Sequence, residues 1–161
     1  MTPMKPDANL QRTGDALGAA LDAALPGWVL RSVEGRWQDW KGAVGLPPDV
    51  REAAQAAAER ARVEVGADVR ALLALDVDEQ RINPLELVRR AVVYPSSVLH
   101  AAGVPPVVRD EFSERTFPDD VYDLAPASFT DIDQSLYEPG LEWGAAKAYA
   151  HLSRRKRSRP R

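Results

Sequence analysis

The chain has 161 residues, 45% hydrophobic and 28% charged, with a formal net charge of −3, a composition that fits one globular domain with a core of its own. The absence of cysteine excludes a disulfide framework, thiolate metal sites and a cysteine nucleophile, and suits a reducing compartment. The amino-terminal segment lacks the apolar stretch of a secretory signal, and no apolar run approaches the roughly 20 residues of a membrane span, so a soluble, cytoplasmic protein is expected.

Residues 1–6 carry two prolines and are expected to fray. From Asp7, read as an N-cap, Leu10, Gly14, Leu17, Leu21 and Leu25 recur at helical spacing. Pro26 and Gly27 are expected to break this helix. A second helix then presents Val29, Val33, Trp37 and Trp40, with both tryptophans at least partly buried. After Gly42, Gly45, Pro47 and Pro48, a long helix runs from Asp49 to about Asp76. Its stripe is Val50, Ala54, Ala57, Ala61, Val65, Val69 and Leu72, and Gly66 is a place where it can bend.

Asn83, Pro84 and Glu86 form a helix start with cap, first-turn proline and third-position acid. A short helix follows, and another from Pro95 to a C′ glycine at Gly103. Pro105 and Pro106 precede a helix to about Arg115. Residues 116–130 read as irregular, held to the bundle by Phe117, Tyr122 and Phe129. Thr130 and Asp133 have capping-box spacing. Pro139 starts the last helix, with Leu141, Ala145, Ala148 and Leu152 as its buried stripe. No strand alternation or internal repeat occurs. The expected fold is all-α: an irregular bundle of about six helices over residues 7–152, followed by a disordered basic tail at 153–161.

Charge is unevenly distributed. Residues 107–142 carry a net −8 and residues 147–161 a net +7, while the first 106 residues sum to −2. An acidic block beside a basic tail indicates either a partner for each or mutual neutralisation. Arginine outnumbers lysine 17 to 4, a bias of GC-rich bacterial genomes that concerns origin alone.

Asp119, Asp120 and Asp123 match a DDxxD pattern, which resembles the aspartate-rich magnesium motif of all-α prenyl-chain synthases over these five residues. That resemblance implies carboxylates on one helical face holding magnesium against a diphosphate. The chain is about half the length such enzymes need, has no second acidic metal motif, and places Pro118 directly before the aspartates. They are therefore read as first-turn acids favoured by a helix dipole, and no metal or other cofactor is expected.

Glu111 and Glu114 have no histidine at i+3 for a di-iron site. His100 adjoins an apolar helix, and His151 lies between Lys147 and Arg155, which disfavours a cation. Ser96 and Ser97 follow a proline where capping is the usual role. No nucleophile elbow, P-loop or dinucleotide-binding glycine pattern is present, so no catalytic residue is assigned. Residues Ala101–Val104 have the form of a helix-turn-helix turn, but the segment that follows is acidic and would be repelled by phosphate.

Three functional expectations remain, of which the last is a magnesium-dependent enzyme using Asp119, Asp120 and Asp123. The first is a non-catalytic interaction or adaptor protein that engages another protein through the acidic segment 107–142, with Phe117, Tyr122, Phe129 and Tyr137 as anchors. The second is an accessory factor for RNA, the ribosome or DNA. It would make non-specific phosphate contacts through Arg154, Arg155, Lys156, Arg157, Arg159 and Arg161, without aromatic residues for base stacking.

Overall fold

The computed structural model describes residues 5–43, 45–108 and 120–158, of which 157 and 158 are described for the backbone alone. Among the described residues it is all-helical, with 75% helix and no strand. The helices are α1 (Pro6–Lys41), α2 (Pro48–Leu73), α3 (Pro84–Arg90), α4 (Val93–Ala101), the single turn α5 (Phe129–Ile132) and α6 (Tyr137–Ser158), which a 3-10 turn at Gln134–Leu136 precedes. Five of these exceed a single turn, so the described residues show about five helices where about six are expected. The helix expected from Pro106 to Arg115 falls largely outside them, as do residues 1–4.

The main correction lies in α1. Pro6, at the first helical position, opens it in place of the expected Asp7 cap, and it continues through Pro26 for 36 residues. Proline lacks the N–H that would bond the carbonyl of Asp22, and an interior proline costs about 3 kcal/mol. Burial offsets that cost. Leu17, Leu21, Leu25, Val29 and Val33 are fully buried, and Trp28 nearly so, on both sides of Pro26. Ending the helix at Leu25 would leave Trp28, Val29 and Val33 without a continuous surface to cover.

α1 packs along both α2 and α6, and α4 closes one side against α1 and α2. The α2 stripe is buried as its spacing requires, from Val50 to Leu72. Gly66 does not interrupt α2; it makes room for a neighbour. A Cβ at this position would fall 2.4 Å from Asp22 Oδ1, where the Asp22 carboxylate pairs with Arg70. At the start of α3, Asn83 Oδ1 accepts from Leu85 N at 3.0 Å. After α4, Gly103 adopts φ +80, the left-handed conformation that suits glycine at a helix end.

Two further expectations are corrected. Ser128, not Thr130, precedes the turn of α5, and Asp131 Oδ2 accepts from Ala127 N at 2.9 Å and Ser128 N at 3.2 Å. α6 begins at Tyr137 and buries Trp143, Ala146 and Ala150. The expected stripe of Leu141, Ala145, Ala148 and Leu152 faces solvent. α6 also runs on to Ser158, so residues 153–158 are helical.

Candidate functional site: the outward face of α6

The face that α6 buries carries Trp143, Ala146 and Ala150. Trp143 packs beside Gly14 of α1, where a Cβ would lie at an ordinary van der Waals distance of 3.8 Å from the indole. Lys147 Nζ sits 4.9 Å from the Trp143 ring centroid, and burial pushes its ammonium below the usual lysine range. The opposite face has no cover among the described residues. Tyr137, Leu141, Tyr149 and Leu152 there are 56–58% exposed, with Ala145 and Ala148 exposed between them. Scattered exposed apolar residues are ordinary on a protein surface, but a contiguous stripe marks a site of association.

The aromatic anchors expected from sequence do not form one surface. Tyr122 is buried, and its hydroxyl donates to the Val104 carbonyl at 2.7 Å, so it holds the loop to the bundle. That corrects its assignment as an interface residue. Phe129 is half-buried against the core, and its ring lies where a Cβ on Gly140 would approach to 3.0 Å. Phe117 lies outside the described residues. Tyr137 alone of the described anchors is exposed, and it belongs to the α6 face.

The aspartate cluster is also redistributed. Asp119 lies outside the described residues. Asp120 is buried, and its carboxylate accepts from Leu124 N at 2.9 Å and Ala125 N at 2.8 Å. Asp123 has φ +55, a left-handed conformation that aspartate tolerates better than most residues. Residues 120–128 are non-helical, so these aspartates are not the first-turn acids of a helix, and Asp120 instead fastens a turn. Among the described residues no group of three or more potential ligands is placed to hold a metal ion.

The basic segment divides similarly. Arg154 is drawn to the bundle side of α6, where it pairs with Asp76, with Asp7 at 3.1 Å and with Asp78 at 3.6 Å. His151 Nδ1 lies 3.3 Å from Asp78. Arg154 therefore ties the end of α6 to the start of α1 and the loop after α2, which corrects its assignment as a phosphate contact. Arg155 and Lys156 are exposed. The side chains of Arg157, Arg159 and Arg161 lie outside the described residues. We expect Arg154→Ala to cost about 1 kcal/mol at low salt, less at high salt, while Lys156→Ala stays within about 0.5 kcal/mol. Urea denaturation at two salt concentrations checks both; equal effects would show that the three-acid cluster contributes nothing.

A cavity of about 640 Å³ lies beside α3 and α4, lined by Glu86, Arg89, Arg90, Val93, Ser96 and Asp120 among others. Two of its polar groups, Arg89 and Asp120, have structural duties. Arg89 donates to the carbonyls of Pro126, at 2.9 Å, and Ala127, at 3.3 Å, and Asp120 is held by its own turn. Elsewhere on α4, burial and the contact with Glu64 push the Tyr94 phenol up to about 12.

Comparison with protein-family models, with curated proteins and with solved structures finds no match for this chain. The outward face of α6 is therefore read from its own chemistry. Sequence periodicity detected this stripe and assigned it to the core. Trp143, two residues from Leu141, was the signal for the opposite choice, since the largest apolar side chain claims the buried face. No described helix is long and apolar enough to cross a membrane.

Proposed function

We propose that this protein is a non-catalytic interaction or adaptor protein whose working surface is the outward face of α6. The observation that carries this reading is the continuous exposure of Tyr137, Leu141, Tyr149 and Leu152 on one helix. α6 is fixed on its other side by Trp143, Ala146 and Ala150 and at its end by Arg154. A helix so immobilised presents its side chains without further ordering, which lowers the entropic cost of binding. Amphipathic partners recognise such a surface through side chains at helical spacing.

A second reading keeps the phosphate contact of an RNA- or DNA-associated factor, favoured by the exposure of Arg155 and Lys156 on the last turns of α6. With Arg154 withdrawn, at most five cations of the segment remain for it.

Both readings are tested in the native cell by a photoreactive benzophenone side chain installed at position 149. The expected result is a discrete protein adduct that nuclease does not remove and that disappears with Leu141→Glu. The same group placed at position 55, on the solvent side of α2, serves as control and should give no such adduct. An adduct lost on nuclease digestion favours the second reading. Identical labelling at positions 149 and 55 would sink the first.

A further inference from the structure

We infer that the outward face of α6 pairs with the same face of a second copy of this chain, the two helices running antiparallel. The inference rests on the reading of that face as the working surface, and it names the occupant.

Leu141, Ala145, Ala148 and Leu152 follow one another at steps of four, three and four, the spacing of a helix–helix seam. At 3.6 residues per turn they fall within about 60° of arc, opposite the buried Trp143, Ala146 and Ala150. The stripe is symmetric about its own middle. A two-fold axis that crosses the seam level with the Ala146–Lys147 midpoint sets Leu141 against Leu152 of the second copy and Ala145 against Ala148. The larger side chains then meet at the ends, and the small ones in the middle let the backbones approach closely. Such an interface is isologous and closes with two copies.

Charge selects the direction. The acids of α6 lie in its first turns, at Glu138 and Glu142, and its exposed cations lie near its end, at Arg155 and Lys156. A parallel pair would set Lys156 beside Arg155 of the second copy, cation against cation, and leave Glu138 beside Tyr137 with no cation to meet. The antiparallel pair sets Glu138 beside Lys156 of the second copy, on the same flank of the seam and within about one residue rise, ~1.5 Å, of level. Tyr137 falls beside Arg155 on the other flank, a pairing of ring and guanidinium. Apolar pattern and charge pattern thus share one symmetry axis, and only the antiparallel arrangement satisfies both. The seam is one helix wide, so a weak, concentration-dependent dimer is expected and not a permanent one.

Sedimentation equilibrium of the full chain, from a few to several hundred micromolar, tests this. The expected result is a reversible rise from 17.7 kDa toward twice that mass. Glu138→Lys alone and Lys156→Glu alone should each weaken association by about tenfold, and the two together should restore it to within about threefold, because the pair is then reversed in both places. Both positions are exposed, and an unchanged circular dichroism spectrum shows that the fold is intact. The chain has no cysteine, so direction is read by cross-linking. A mixture of Leu141→Cys and Leu152→Cys chains should form the mixed disulfide dimer, and neither variant should link to itself. Self-linked Leu141→Cys would establish parallel pairing and overturn the inference, as would a chain that stays monomeric throughout or a double charge variant that fails to recover. A monomer that still gives the position-149 adduct with other proteins leaves the interaction reading standing and removes only the self-pairing. A monomer with no specific adduct removes both.

Discussion

Trp28→Ala is expected to cost about 3–5 kcal/mol, the range for truncating a buried tryptophan, and to lower the melting temperature by about 10 °C for a chain of this length. Trp28 is 4% exposed and sits in the core cluster beyond Pro26. Its neighbours cannot fill the vacated volume without moving α1, because Leu25 and Val29 beside it are already fully buried. Trp40→Ala is the contrast. Trp40 is 39% exposed, and its ring meets Trp37 edge-on at 5.5 Å between centroids, with Lys41 Nζ 4.0 Å from its own centroid. Both tryptophans are thus partly covered as their spacing suggests, Trp37 half-buried and Trp40 the more exposed of the two. Trp40→Ala should cost no more than about 1 kcal/mol, the worth of an exposed aromatic and cation contact. Urea denaturation followed by far-ultraviolet circular dichroism measures both without depending on tryptophan emission. Equal costs would show that the second half of α1 is not part of the core.

Pro26→Ala is expected to act in the opposite direction and stabilise the protein by about 1–2.5 kcal/mol. Alanine restores the N–H donor to the Asp22 carbonyl and has the best helix propensity, a combined gain of up to about 3 kcal/mol. Against this, the unfolded chain regains freedom that proline removed, worth about 0.4–1 kcal/mol. The sign follows from α1 being helical on both sides of the substitution. If Pro26 instead joined two separate helices, alanine would remove a favourable boundary, and stability would fall or stay level. Chemical denaturation of this single variant distinguishes a continuous α1 from a broken one.

How much of this molecule its sequence determined is best seen residue by residue. The α2 stripe from Val50 to Leu72 was legible, because a long amphipathic run with one apolar face admits a single orientation. The Asn83 and Pro84 start of α3 and the Gly103 end of α4 were legible as well, since caps act through atoms within a few residues. The continuity of α1 was partly legible. Leu25 and Val29 are four residues apart, so the stripe stays in phase across Pro26, but local propensity favours a break there. The balance depends on burial against α2 and α4, which involves residues distant in sequence.

α6 required the tertiary structure altogether. It carries apolar residues on two opposite faces, and periodicity gives the spacing of a stripe without saying which stripe is covered. Trp143 is buried beside Gly14 of α1, and burying that face turns Leu141, Ala145, Ala148 and Leu152 outward. The same rotation brings Arg154 onto Asp7, Asp76 and Asp78, joining segments from the start, middle and end of the chain. Local sequence thus determined where most helices lie, through capping and propensity that act over one turn. The fold decided which face of α6 meets solvent, because burial is a property of two surfaces and only one of them is written in the helix itself.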